Sequence, residues 1–264
     1  MRPIQSIRFA FLLVTCFFSS TVMAQLSGVY VGIQGAISQS DADYSKVLDN
    51  THPDNATTVA GMRFETSNTG DGNLGNIGLV VGYRKALDSG FYGVQLEANT
   101  GSGRVSGFVS GDGVSQLRAQ YGEAWPETFD VASSTEFGVT LQWGRELLDT
   151  NWTAITGYYF LIGAKRANVE LDTRYELGCF TLTECVGPQF ETGEFSYEAS
   201  GQVYAFGGGV EHAFSEKFVA QLELRLETSI EDDWEDVYEN GTVRVIPSLE
   251  MQNFRFTLSL SRFL

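Results

Sequence analysis

Histidine, the usual general base near neutral pH, occurs at only two positions, His52 and His212. His52 lies in a polar stretch beside Asp49 and Asp54. A surface hydrolase built there would need a serine or a carboxylate brought in by a second element, and none is recognisable. No catalytic residue, cofactor or resident metal is therefore expected. Cys179 and Cys185 stand six positions apart in CFTLTEC, and in an exported chain such a pair is readily oxidised to a loop staple. A metal pair is the weaker alternative, because no histidine or third cysteine is close by. The segment IEDDWEDVYENG supplies Glu231, Asp232, Asp233, Glu235, Asp236 and Glu239, enough oxygens for weak Ca²⁺ or Mg²⁺ binding but not in EF-hand spacing. A solvated acidic loop is the favoured reading of the segment. Gly207-Gly208-Gly209 lies within an apolar strand pattern rather than between a strand and a helix, which argues against a phosphate loop and for relief of crowding.

The remaining chemistry is charge on alternating strand positions: Arg84, Glu97, Arg145, Lys165, Glu223, Arg225 and Glu227. These read as one inward-facing set, able to line a channel or to close into an ion-pair network. An eight-stranded lumen is narrow enough to be filled by side chains, which favours the closed network.

The elements that must carry these residues are strands. Residues 1–24 read as a secretory signal: Arg2 and Arg8 precede an apolar run from Phe9 to Phe18, followed by Val22-Met23-Ala24. Cys16 follows Thr15 rather than a small residue, so lipidation is not expected. Beyond this segment no apolar run is long enough for a membrane helix. In 218–227, Phe218, Ala220, Leu222, Leu224 and Leu226 alternate with Gln221, Glu223, Arg225 and Glu227. A period of two is a strand, not a helix. Similar alternation recurs around 29–34, 77–84, 92–99, 137–143, 152–165, 197–212 and 251–264, giving about eight strands. With 29 glycines, 13% aromatic residues and only 5 prolines, residues 25–264 suit a single all-β domain.

Connections alternate between short (88–90, 148–151, 214–217) and long polar stretches near 40–75, 102–133, 167–195 and 231–249, the pattern of short periplasmic turns and long outer loops. A soluble meander barrel would also alternate. Three features favour the membrane version: the charged, glycine-rich polar face, the aromatics near strand ends (Tyr83, Tyr92, Trp143, Trp152, Phe218, Phe263), and the final strand reaching Leu264. The formal net charge is −16, and loss of Arg2 and Arg8 with the signal would make it −18. That excludes nucleic acid and disfavours anionic headgroups as main partners.

Signal, strand order and the terminal FRFTLSLSRFL together resemble the small eight-stranded outer-membrane proteins of the OmpA-like and Opa-like group. The resemblance implies an eight-stranded antiparallel transmembrane up-and-down β-barrel in the bacterial outer membrane, a monomer in contact with membrane lipid and lipopolysaccharide. It also implies a terminal signal for the barrel-assembly machinery, carried here by Phe256, Leu258, Leu260, Phe263 and Leu264. Arg262 breaks the alternation, and the aromatic Phe263 is penultimate rather than last. No peptidoglycan-binding domain is expected after Leu264. The function expected is non-enzymatic, through long acidic surface loops in adhesion or envelope integrity. The alternatives are a low-conductance pore and, further off, an outer-membrane hydrolase.

Overall fold

Lipid offers no hydrogen-bond partner, so a spanning sheet must satisfy every backbone group by closing on itself. The computed structural model does this. It describes residues 26–56, 60–88, 90–109, 127–147, 156–177, 191–238 and 241–264; the signal segment, Trp152, Cys179 and Cys185 lie outside them. Ten strands follow one another: β1 (Gly28–Asp49), β2 (Arg63–Leu87), β3 (Gly90–Ser102), β4 (Arg104–Val109), β5 (Glu127–Glu146), β6 (Gly157–Leu177), β7 (Glu191–Ala213), β8 (Phe218–Asp233), β9 (Asp236–Tyr238) and β10 (Val243–Phe263). Every pairing is antiparallel, and β1 pairs with both β2 and β10, so the sheet is a closed ring. β3 and β4 form one wall, both paired to β2 and β5 and separated by Gly103 at φ 95°. β9 is a short hairpin extension against β10. The result is an eight-walled antiparallel barrel.

The walls are much taller than a membrane requires. A bilayer is crossed by about 9–11 strand residues, whereas β1 has 22 residues and β2 has 25. The apolar outward residues occupy only part of each: Val29, Val31, Ile33 and Ile37 in β1, Phe137, Val139, Leu141 and Trp143 in β5, and Phe254, Phe256, Leu258 and Leu260 in β10, all exposed. Much of the sequence expected to form long loops (40–75, 102–133, 167–195, 231–249) is instead strand. The physical reason is that the period of two continues with its polarity reversed. In β10 the inward positions read Val243, Val245, Pro247, Leu249 and Met251, then Asn253, Arg255, Thr257, Ser259 and Ser261. Within the apolar belt the lumen is polar; beyond it the lumen is apolar, a core of Ala42, Tyr44, Leu74, Phe129, Leu171, Ile230 and Met251 among others. A polar outer face there reads as loop when it is really wall.

Two bulges make this inversion possible on strands whose sequence parity would oppose it. Phe129 and Val131 share odd numbering with the lipid-facing Phe137 to Trp143, yet both are buried inside. The register with β6 shifts between Ser133 and Glu136, so that Ser134 and Thr135 oppose the single residue Asn168. Asn168 fixes the bulge, accepting at its carbonyl from Ser134 Oγ (3.2 Å) and donating from Nδ2 to Thr135 Oγ1 (2.8 Å). In β8 a second shift, opposite Met251 and Asn253, turns Ile230 inward although Leu222, Leu224 and Leu226 point out. One extra residue therefore reverses which face is buried.

Deleting Ser134 is expected to straighten β5 and drive Phe129 and Val131 outward, each losing burial of about 1.5–3 kcal/mol. The measurement is electrophoretic mobility without heating. The fast-migrating folded band should vanish on deletion of Ser134 and persist on deletion of Ala56 in the β1–β2 connection.

Candidate functional site: the charged lumen and the two rims

Inside the belt, four cations are bound by carboxylates, the groups around Arg225, Lys165 and Arg255 bridged through Gln34 and Asn99 and that of Arg84 standing apart. Arg225 donates from Nη1 to both oxygens of Glu97 (2.9 Å each) and from Nε to Glu223 (2.8 Å). Lys165 donates to Glu136 (3.0 Å) and Glu227 (2.8 Å). Arg255 chelates Glu136 at 2.7 and 2.6 Å and lies 3.4 Å from Glu227. Arg84 chelates Glu211 at 2.9 Å on both arms, reaches Glu146 at 2.8 Å, and sits 3.3 Å over the Phe91 ring. Neutral side chains fill the gaps: Tyr159 donates to Glu223 (2.7 Å), Gln142 to Glu223 (3.2 Å), Gln34 to Asn99 (2.7 Å) and Tyr30 to Gln95 (3.1 Å). Apart from the partly buried Glu146, these ions are almost wholly buried.

The lumen is narrow because aromatics lie across it over glycines on neighbouring strands. Tyr30 is in register with Gly82, and Tyr159 with Gly209. A Cβ at Gly82 would overlap the Tyr30 ring, and one at Gly209 would come within 2.5 Å of Tyr159. Phe91 opposite Gly144 and Phe129 opposite Gly107 repeat the arrangement. The glycines thus leave slots for the inward rings. At the turn end Leu26, Tyr30, Val219 and Phe263 form an apolar plug, with Tyr30 and Phe263 centroids 5.1 Å apart. At the other end the apolar core follows, and within it Glu127 accepts from Tyr44 (3.2 Å) and Lys46 (2.7 Å).

Of the seven charges expected inside, Arg84, Glu97, Lys165, Glu223, Arg225 and Glu227 meet in the lumen. Arg145 does not. It is exposed on the outer face, for the simple reason that it shares the parity of Phe137, Val139, Leu141 and Trp143. Glu136, Glu211 and Arg255 complete the network; the strand alternation already points Glu211 and Arg255 inward, and Glu136 shares the parity of the inward Thr140 and Gln142. Glu127 could not be found that way, since the β5 bulge reverses its face. Phe256, Leu258, Leu260 and Leu264 are exposed, whereas Phe263 is 5% exposed and belongs to the plug, not to an outer girdle. Tyr83, Tyr92, Trp143 and Phe218 do face outward at the turn end.

The candidate chemistry at the rims is dispersed. His52 lies exposed, with Nδ1 accepting the Asp54 N–H at 3.2 Å. Asp49 is turned elsewhere: its carboxylate accepts the Thr51 hydroxyl (2.6 Å) and N–H (2.9 Å) and lies 3.4 Å from Arg244. The Thr51 hydrogen bonds hold it below the usual carboxylate range. Asp54 Oδ2 stands 4.0 Å from His52 Nδ1, both side chains exposed, and Asp49 takes no part. His212 packs edge-on against Phe214, centroids 4.7 Å apart. In the acidic segment, Asp236 accepts from Tyr197 and Glu235 lies 3.6 Å from Arg244. Among the described residues no cluster is placed to hold a metal ion; Glu239 lies outside them.

Replacing Arg225 with Met is expected to cost about 3–5 kcal/mol, because Glu97 and Glu223 would be left buried and uncompensated. Adding Glu97→Gln and Glu223→Gln should recover most of the loss. Urea unfolding of the barrel in lipid vesicles measures both.

No family model matches the chain, and no curated protein sequence does. Among solved structures, it is similar to Ail, the attachment invasion locus protein of Yersinia pestis, at 10% identity over 87% of this chain and 99% of that one, with a TM-score of 0.28. A Pseudomonas aeruginosa FadL homologue is similar at 9% identity over 89% and 90%, TM-score 0.26. The toluene transporter TodX of P. putida gives 9% identity over 90% of each chain, TM-score 0.22. Scores this low transfer nothing from those proteins, and the fold rests on the chain's own ladder. A closed antiparallel ring with an apolar outer belt and a lumen of paired charges is the inside-out arrangement that only a lipid surround stabilises: the chain is a small outer-membrane β-barrel.

Proposed function

We propose that this barrel is a non-conducting pedestal for surface contact, with its turn end toward the periplasm and its tall wall standing outside the lipid. The supporting observation is the polarity inversion: beyond the belt the barrel is built like a soluble β-protein, apolar within and charged without. The outer face of that part carries Asp41, Asp43, Asp71, Asp130, Glu170, Asp172, Glu194, Glu231 and Glu250, exposed or half-exposed. Asp43, Glu250 and Glu231 are directly in register across β1, β10 and β8. Such a rigid acidic wall suits a cationic partner surface, and its position outside the membrane suits contact rather than transport. Stacked ion pairs, the aromatic plug and the apolar core occupy the lumen in series, which speaks against the pore reading.

Planar-bilayer recording of the folded protein should give no conductance steps above background; reproducible steps would sink the proposal's first half. For the second, immobilised polylysine serves as the probe. Binding should weaken steeply with salt and fall several-fold in an Asp41→Asn, Asp43→Asn, Glu231→Gln, Glu250→Gln variant. Binding indifferent to both would rule out the acidic wall as the contact surface.

A further inference from the structure

We infer that the turn-end rim is a binding collar for the phosphate of anionic phospholipid headgroups, formed by Lys85, Arg145 and Arg262. All three are exposed on the outer face of β2, β5 and β10, at the edge of the apolar belt. Counter-ions distinguish them from three of the cations toward the other end, although Arg63 and Arg166 there are likewise exposed with no carboxylate within 4.0 Å among the described residues. There, Arg104 lies 3.7 Å from Asp130, Arg174 3.8 Å from Glu194, and Arg244 3.4 Å from Asp49. Among the described residues, Lys85, Arg145 and Arg262 have no carboxylate within 4.0 Å. The turns carry Asp88 and Glu216, both exposed and paired with none of the three. In a chain of net charge −16, three cations set among aromatic rings at the turn-end lipid boundary, with no carboxylate partner among the described residues, call for an anion from outside the chain.

The geometry favours a lipid over a free anion. Lys85 is in register with Tyr92, and Tyr92 with Trp143, two residues before Arg145, which itself opposes Tyr158. This makes one outward patch of cations and aromatic rings across four adjacent walls. On another side of the barrel, Arg262 opposes Phe218, its guanidinium carbon 5.9 Å from the ring centre. Rings of this kind settle at the headgroup level, while long cationic side chains reach from the apolar edge to the phosphates. The acidity of the whole chain thus conceals a locally cationic rim. Interaction with an anionic bilayer surface is worth about fivefold in affinity per cation at moderate salt.

The test is native mass spectrometry of the folded barrel released from micelles containing equal phosphatidylglycerol and phosphatidylcholine of matched chains. The wild-type protein should retain phosphatidylglycerol over phosphatidylcholine by about fivefold or more, and the ratio should fall to near one in Lys85→Gln, Arg145→Gln, Arg262→Gln. A variant with the same charge change at the other end, Arg104→Gln, Arg174→Gln, Arg244→Gln, should keep the wild-type ratio. On the wild-type protein itself, raising NaCl from about 50 to about 500 mM should collapse the preference. A wild-type ratio near one, retention of the preference in the first variant or at high salt, or equal loss in both variants would overturn the proposal. So would displacement of the lipid by inorganic phosphate beyond that caused by chloride at equal ionic strength, which would indicate a free-anion site.

Discussion

Closure of β1 onto β10 is the constraint on which everything else in this protein depends. Their ladder runs from Tyr30 opposite Phe263 to Asp49 opposite Arg244, and without it two edges would present unpaired backbone groups to lipid. Closure with eight walls also fixes the bore. A bore this small leaves little room for bulk water, so the inward charges find their partners within the protein, while Asn76, Thr257 and Ser261 are buried with no side-chain hydrogen-bond partner among the described residues. The lumen's composition follows: bidentate arginine pairs, hydroxyls and amides that bridge them, and rings laid over glycines. Charge inside the belt is thus a packing solution, and the same packing removes the aqueous path a transporter would need.

The second organising fact is that one barrel is two kinds of protein stacked end to end. Within the belt the solvent for the outer face is hydrocarbon and the lumen holds the charges. Above it the solvent is water, and the lumen holds Tyr44, Phe129, Leu171 and Met251. Strand pairing continues across this boundary on most walls, while β7 and β8 pair only as far as Ala205 opposite Glu227, and bulges in β5 and β8 adjust parity where the sequence needs it. The upper portion is packed around its own apolar core, which makes it suited to present a chemical surface.

What could be read from the sequence was whatever a strict period of two exposes. The lipid faces of 77–83, 92–96, 137–143, 218–226 and 254–260 are clear, and so are Glu97, Glu223 and Arg225 opposite them. Arg145 faces out, as the numbering it shares with Trp143 dictates, although its charge argues for the lumen. Phe263 is the converse case, an aromatic type that argues for the girdle at a position whose parity turns it inward. The heights of the strands were hidden because polarity-weighted patterns equate a polar outer face with a loop. Glu127, Phe129 and Ile230 were beyond reach: each lies past a bulge, and nothing local to Ser134 or Thr228 announces an extra residue.

The abrupt change of outer-face polarity also works as a depth gauge. On β1 the sequence passes from Ile37 to Gln39 and Asp41 on successive outward positions, and the neighbouring walls change at the corresponding level. Sinking the barrel by two residues would bring carboxylates toward the hydrocarbon on several sides at once; raising it would strand leucines and phenylalanines in water. Depth-dependent penalties for charge on a lipid face are steep, so the vertical position is set to within about one rung. Such a molecule would register the thickness of its membrane, settling without strain only where the hydrocarbon matches its belt.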